Sequence, residues 1–159
     1  MNKAILQEKL AFLIVDDDEH KAWDYELFAS RLSPAKILMV TEGEMEEEVL
    51  FALEQIYSEG LIPFVILDEN LGNEVLGSKI LKEVILREHP SEGGILLAGS
   101  TMSDDQNIVL EEILSNHATN HQWILSKSDF TLKEEEILSD LQRYFDLQND
   151  EPNVELKNN

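Results

Sequence analysis

The sequence predicts an α/β protein in which five strands alternate with five helices. The strands are predicted from five short apolar runs, at residues 11–15, 37–40, 64–67, 95–98 and 123–125. None of these runs alternates apolar with polar side chains, and continuous runs of this length are typical of strands covered on both faces of a parallel sheet. Apolar side chains recur at helical spacing between the runs. This (βα)5 order indicates a doubly wound, five-stranded parallel sheet with helices on both faces.

Each predicted helix has its own apolar stripe. In chain order the stripes are Tyr25, Phe28, Ala29 and Leu32; Val49, Ala52, Leu53 and Ile56; Ile80, Leu81, Val84 and Ile85; Leu110, Ile113 and Leu114; and Ile137, Leu141 and Tyr144. Capping-box patterns predict three of the helix starts, namely Thr41 with Glu44, Ser103 with Gln106 and Thr131 with Glu134. Gly60 predicts the end of the second helix.

Length and composition indicate one domain. The chain has 159 residues, of which 43% are apolar, enough for one sizeable core. We expect an N-terminal extension at 1–10, the folded domain at 11–147 and a disordered acidic tail at 148–159. The sequence has no cysteine, which excludes disulfides and thiolate metal sites and suits a reducing cytoplasm.

The charge balance disfavours two classes of partner. Twelve basic residues stand against 33 acidic ones, which gives a net charge of −21. Nucleic acids and anionic membrane surfaces both require clustered Lys and Arg, so we expect neither as a partner. No apolar run approaches the ~20 residues of a membrane-spanning helix. The sequence therefore predicts a soluble, cytoplasmic protein.

Polar side chains follow four of the predicted strands. Asp16 and Asp17 come after the first, Asp68 after the third, Ser100 after the fourth and Lys127 after the fifth. Ligands of open α/β sheets bind outside the carboxyl ends of the strands, so we expect these groups to share one site.

The residue types at these strand ends suit phosphoryl transfer. Clustered carboxylates repel one another unless a cation lies between them, and oxygen-only ligands suit Mg²⁺. A carboxylate nucleophile, a metal ion, a lysine and a hydroxyl make a complete phosphoryl-transfer site. Asp18 has a simpler interpretation as the N-cap of the first helix.

These motifs, taken in order, resemble the receiver domain of bacterial response regulators, including the stand-alone chemotaxis regulators. The resemblance covers about residues 11–145. It rests on Leu13-Ile14-Val15-Asp16-Asp17-Asp18, on Val65-Ile66-Leu67-Asp68-Glu69-Asn70, on Ser100 and on Lys127. It implies a flavodoxin-like fold with strand order 2-1-3-4-5.

The resemblance also implies a role for each site residue. Asp68 would be the nucleophile that accepts a phosphoryl group. Asp17 would bind Mg²⁺ directly, Asp16 directly or through water, and the backbone carbonyl of Asn70 would complete the metal site with Asp68. Ser100 would hydrogen-bond the aspartyl phosphate.

Lys127 would pair with the same phosphoryl group. The implied phosphoryl donor is a sensor histidine kinase or a phosphotransfer protein, and the implied output is contact with a downstream protein target, without enzymatic turnover. A homodimer remains an open alternative.

Three positions depart from the family pattern. Leu71-Gly72-Asn73 stands where the loop after the phosphoacceptor usually has a proline, and Ser128 stands where proline usually follows the lysine. Ile124 stands where the family often has an aromatic side chain that moves on activation. These departures bear on how the signal is relayed.

Two alternative functions stay open from the sequence. One is a degenerate receiver that binds partners without being phosphorylated. The other is a small phosphatase of the haloacid-dehalogenase kind, suggested by the Asp-x-Asp spacing of Asp16 and Asp18.

Overall fold

A computed structural model of the chain describes residues 8–68, 71–72, 77–85, 96–101 and 121–126, together with 135, 136, 139 and 143. Five parallel strands form one sheet in the order β2-β1-β3-β4-β5. The strands are β1 (Leu10–Val15), β2 (Lys36–Val40), β3 (Ile62–Asp68), β4 (Leu96–Thr101) and β5 (His121–Ser126). Both the predicted parallel sheet and the predicted strand order are confirmed.

Three of the predicted helices lie within the described residues. They are α1 (Glu19–Ser30), α2 (Met45–Ser58) and α3 (Gly77–Ile80), which continues as a π-helical turn over Leu81–Ile85. The fourth predicted stripe lies outside the described residues, and so does the fifth, although residues 135, 136, 139 and 143 are helical. Over the part of the chain that the structure describes, no helix is both long enough and apolar enough to cross a membrane.

Alternate residues of β1 face two different cores, which is why the whole strand is apolar. Leu10, Phe12 and Ile14 pack with the apolar side of α1, whereas the other three residues of the strand pack with α2 and α3. Every residue of β1 is fully buried. The first helix thus covers one face of the sheet and the next two cover the other, as the doubly wound prediction requires.

The two ends of α2 differ in how well the sequence predicted them. The capping box placed the start at Thr41, but the helix begins at Met45, after Glu44, whose side chain makes no capping hydrogen bond. Gly43 has a φ of +85°, so the chain turns in the left-handed region just before the helix. The predicted start was therefore wrong.

At the other end the glycine prediction is confirmed. Gly60 has a φ of +71°, and its N–H donates to the carbonyl of Tyr57 at 3.0 Å, while Leu61 N–H donates to that of Ile56 at 3.1 Å. This pair of bonds is the Schellman arrangement that ends helices at a left-handed residue.

The N-cap of α1 gives the first testable prediction. The Asp18 carboxylate accepts hydrogen bonds from the backbone N–H groups of His20 at 2.9 Å and Lys21 at 3.4 Å. Loss of such a cap costs about 1 kcal/mol. We expect Asp18→Ala to lower the free energy of unfolding by that amount in urea titrations. Asp18→Asn keeps a capping oxygen and should be close to wild type, and an equal loss in both variants would contradict the capping role.

Candidate functional site

The acidic side chains predicted from the sequence lie together at one edge of the sheet. Asp16 and Asp17 follow the last residue of β1, and Asp68 is the last residue of β3. The two strands are adjacent and parallel, with Val15 paired to Leu67. Their carboxyl ends therefore open on the same edge, where ligands of open α/β sheets bind.

The three carboxyl groups form one compact cluster. Each of Asp16, Asp17 and Asp68 contributes a carboxylate oxygen, and these atoms all lie within 4.8 Å of one another. Asp16 is fully buried and Asp68 is 2% exposed, whereas Asp17 is open to solvent. Two of the carboxyl groups are thus buried, and the carboxyl group of Asp17 lies at the solvent-exposed rim of the cluster.

Backbone hydrogen bonds hold Asp16 in place. Its N–H donates to the carbonyl of Val40 at 3.2 Å, which ties the end of β1 to the end of β2. Its carboxylate oxygen Oδ1 accepts from the backbone N–H of Asp18 at 2.9 Å. This bond spans the turn between β1 and α1, so the side chain is oriented by both elements.

The donor set fits a small divalent cation. Two ligand oxygens at opposite corners of an octahedral Mg²⁺ site lie about 4.2 Å apart, since each is about 2.1 Å from the ion. The Asp16, Asp17 and Asp68 oxygens lie within 4.8 Å of one another, a spacing comparable to that span. A cation there would also offset the mutual repulsion of three carboxylates.

The structure locates the backbone of one further predicted site residue. Ser100 pairs with Asp68 across β3 and β4, so the two residues are neighbours in the sheet. The apolar run predicted a strand end at Ala98, but β4 continues to Thr101, which puts Ser100 inside the strand. Asn70 and Lys127 lie outside the described residues, as do Asn73 and Ser128.

Gly72 belongs to the site and was not among its predicted residues. Its φ is +75°, and a Cβ atom built on it would lie 3.1 Å from Oδ2 of Asp17. The preceding Leu71 is buried in the core that α2 and α3 share with the sheet. Gly72 therefore lies directly beside the exposed carboxylate of the cluster.

Comparison with solved structures identifies the class of fold. The signal receiver domain of a DNA-binding response regulator from Colwellia psychrerythraea is 19% identical, with a TM-score of 0.58; the match covers 84% of this chain and 99% of that one. The receiver domain of the histidine kinase CKI1 from Arabidopsis thaliana, complexed with Mg²⁺ and BeF₃⁻, is 16% identical, with a TM-score of 0.57, covering 87% of this chain and 95% of that one. Chemotaxis protein CheY4 from Vibrio cholerae is 17% identical, with a TM-score of 0.52, and the match covers 86% of this chain and 98% of that one.

These likenesses show that the chain has the receiver-domain fold, as the sequence motifs predicted. The matches span almost the whole of each solved domain. No protein-family model and no curated protein sequence matches the chain.

Proposed function

We propose that the chain is a phosphorelay receiver that accepts a phosphoryl group on Asp68. In this proposal Asp16, Asp17 and Asp68, with the backbone carbonyl of Asn70, hold Mg²⁺. Ser100 and Lys127 act on the transferred phosphoryl group, which is the set that the receiver resemblance implies.

One observation carries this proposal. Three carboxyl groups from two neighbouring strands converge within 4.8 Å at the carboxyl edge of a sheet with the receiver-domain strand order. Two of them are buried, and burying like charges together is costly unless a cation or a reaction makes use of them. A structural role would be met more simply by apolar side chains, which cover the rest of both strands.

The chemistry follows from the position of Asp68. A carboxylate oxygen of Asp68 attacks the phosphorus of a phosphohistidine, so that a P–O bond forms while the donor's P–N bond breaks. The departing imidazole nitrogen keeps the electron pair and takes up a proton. Bound Mg²⁺ would offset negative charge on the phosphoryl oxygens.

The other residues of the chain have supporting roles in this proposal. Asp16, fixed by its bonds to Val40 and Asp18, keeps its carboxylate oriented toward the cluster. Ser100, the sheet neighbour of Asp68, would donate a hydrogen bond to a phosphoryl oxygen, and Lys127 would supply a positive charge.

The proposed partners follow from the same role. The donor would be a sensor histidine kinase or a phosphotransfer protein, and the phosphorylated domain would signal by contact with a downstream protein in the cytoplasm. The solved domains with this fold come from both a response regulator and a histidine kinase.

Metal removal tests the proposal directly. We expect the wild-type protein, incubated with a small acyl phosphate and Mg²⁺, to gain the mass of one phosphoryl group in intact-protein mass spectrometry. A chelator in excess of Mg²⁺ should prevent the gain, because the carboxylate cluster would then lack its cation. The chelated sample with Mg²⁺ restored serves as the control.

Two results would contradict the proposal. Absence of any mass gain, with either the acyl phosphate or a phosphohistidine donor, would favour a receiver that works without phosphorylation. Steady turnover of a phosphate monoester, lost in Asp16→Asn but kept in Asp68→Asn, would favour the phosphatase alternative.

A further inference from the structure

The loop glycine that faces Asp17 carries an inference that rests on the proposed Mg²⁺ site. We propose that Gly72 is a positioning residue, which sets where the Asp17 carboxylate can lie and thereby favours Mg²⁺ over larger divalent cations. The observation behind it is the 3.1 Å separation between Asp17 Oδ2 and the place that a Cβ on Gly72 would occupy.

The burial of Leu71 and the conformation of Gly72 favour this close approach to Asp17. Leu71 is buried against the core formed with α2 and α3, which anchors the loop immediately before the glycine. Gly72 itself is exposed and has a φ of +75°, a conformation that L side chains rarely adopt. The chain therefore passes close to Asp17 along a path that glycine takes without strain.

Any side chain at position 72 would displace the rim carboxylate. A contact of 3.1 Å is tighter than ordinary van der Waals separation, so Asp17 would have to move by a few tenths of an ångström. Asp16 and Asp68 are buried, so their carboxylates have less room to follow than the exposed Asp17. The Asp17 carboxylate would then be kept out of the position that it takes beside Gly72, and the cluster would lose part of its fit to a single small ion.

The ion most sensitive to such a shift is Mg²⁺. It requires nearly ideal octahedral geometry with ligands at about 2.0–2.1 Å, whereas Ca²⁺ accepts irregular geometry at about 2.3–2.6 Å. A displaced Asp17 carboxylate should thus weaken Mg²⁺ binding more than Ca²⁺ binding. Glycine at position 72 consequently contributes to the choice of metal as well as to affinity.

This path also explains a departure from the family pattern. The segment Leu71-Gly72-Asn73 stands where proline is usual, and proline locks φ near −65°. A φ of +75° at Gly72 excludes proline at that position. The loop of this chain therefore reaches Asp17 by a conformation that the usual residue could not adopt.

Gly60 provides a matched control for the backbone effect. Its φ is +71°, close to that of Gly72, but a Cβ built on it would have no atom within 4 Å. It lies just before the first residue of β3, whereas Asp68 is the last residue of that strand. Gly60→Ala therefore carries the same kind of backbone strain far from the carboxylate cluster.

The experiment compares the two alanine variants with the wild type. Dissociation constants for Mg²⁺ and for Ca²⁺ are measured by calorimetric titration, and stability by urea unfolding. We expect both variants to unfold at lower urea. Only Gly72→Ala should raise the Mg²⁺ dissociation constant, by about tenfold or more, which is the usual scale for residues that orient metal ligands. Its Ca²⁺ dissociation constant should rise distinctly less.

Three outcomes would overturn the inference while leaving the proposed receiver function intact. They are an unchanged Mg²⁺ dissociation constant in Gly72→Ala, an equal weakening of Mg²⁺ and Ca²⁺, and the same weakening in Gly60→Ala. Failure of the wild type to bind Mg²⁺ would overturn the metal site and this inference together.

A second pair of variants keeps the test usable if Gly72→Ala does not fold. Gly72→Asn has the same Cβ atom, and asparagine tolerates positive φ better than alanine. Gly60→Asn is its control. The same pattern of dissociation constants is expected, and the same three outcomes would overturn the inference.

Discussion

Asp68→Asn is expected to abolish the phosphoryl gain seen with an acyl phosphate. The carboxamide has no anionic oxygen to attack phosphorus, and the change also removes one of the three carboxylates that would share the cation. The gain should fall from stoichiometric to undetectable in intact-protein mass spectrometry. A peptide map of the phosphorylated wild type should place the added group on the peptide that contains Asp68.

The control for this substitution is Asp18→Asn. Asp18 also lies near the end of β1, but its carboxylate caps α1 and is not part of the carboxylate cluster. Asparagine caps helices as well as aspartate does, so this variant loses one acidic group and should retain both stability and the full phosphoryl gain. A phosphoryl gain that persists in Asp68→Asn would rule out Asp68 as the acceptor.

The strands could be predicted from the sequence because the sheet is covered on both faces. In β1 both alternate sets of side chains enter a core, so the run is apolar throughout and contrasts with its polar flanks. The polar residues at the strand ends were then enough to predict that Asp16, Asp17 and Asp68 meet, because parallel strands share a carboxyl edge.

Features that depend on local backbone conformation were predicted less well. The Thr41 capping box is a short pattern, and the left-handed turn at Gly43 delays the helix until Met45. The end of β4 was placed too early because Gly99, Ser100 and Thr101 interrupt the apolar run, yet their backbone pairing with β5 continues to Ser126.

The role of Gly72 could not be predicted from its neighbours in the chain. Its φ and its distance from Asp17 both depend on how the loops after β1 and β3 come together in the folded sheet. The absence of proline from the loop was visible in the sequence, but it indicates only that the loop backbone departs from the family pattern. The contact itself is a tertiary feature.

The largest expected loss of stability comes from Phe12→Ala in the centre of β1. The Phe12 ring is fully buried, stacks on Phe64 with ring centroids 4.8 Å apart, and meets Phe28 of α1 edge-to-face at 6.1 Å. Truncation removes both aromatic contacts and leaves a cavity between the sheet and α1. Such changes cost about 3–5 kcal/mol, a large share of the roughly 5–15 kcal/mol by which native proteins are stable. Urea unfolding should show this loss as a lower transition midpoint.

Phe51→Ala is the matched control, because the same atoms are removed from a side chain that is 57% exposed on α2. Surface substitutions of this kind usually change stability by about 0.5 kcal/mol or less. Phe12 lies well inside β1, away from the carboxyl edge, so any Phe12→Ala protein that remains folded should still gain a phosphoryl group on Asp68. Equal losses of stability in the two variants would contradict the packing of Phe12 between Phe64 and Phe28, whereas loss of phosphorylation in folded Phe12→Ala would show that the carboxylate cluster depends on that packing.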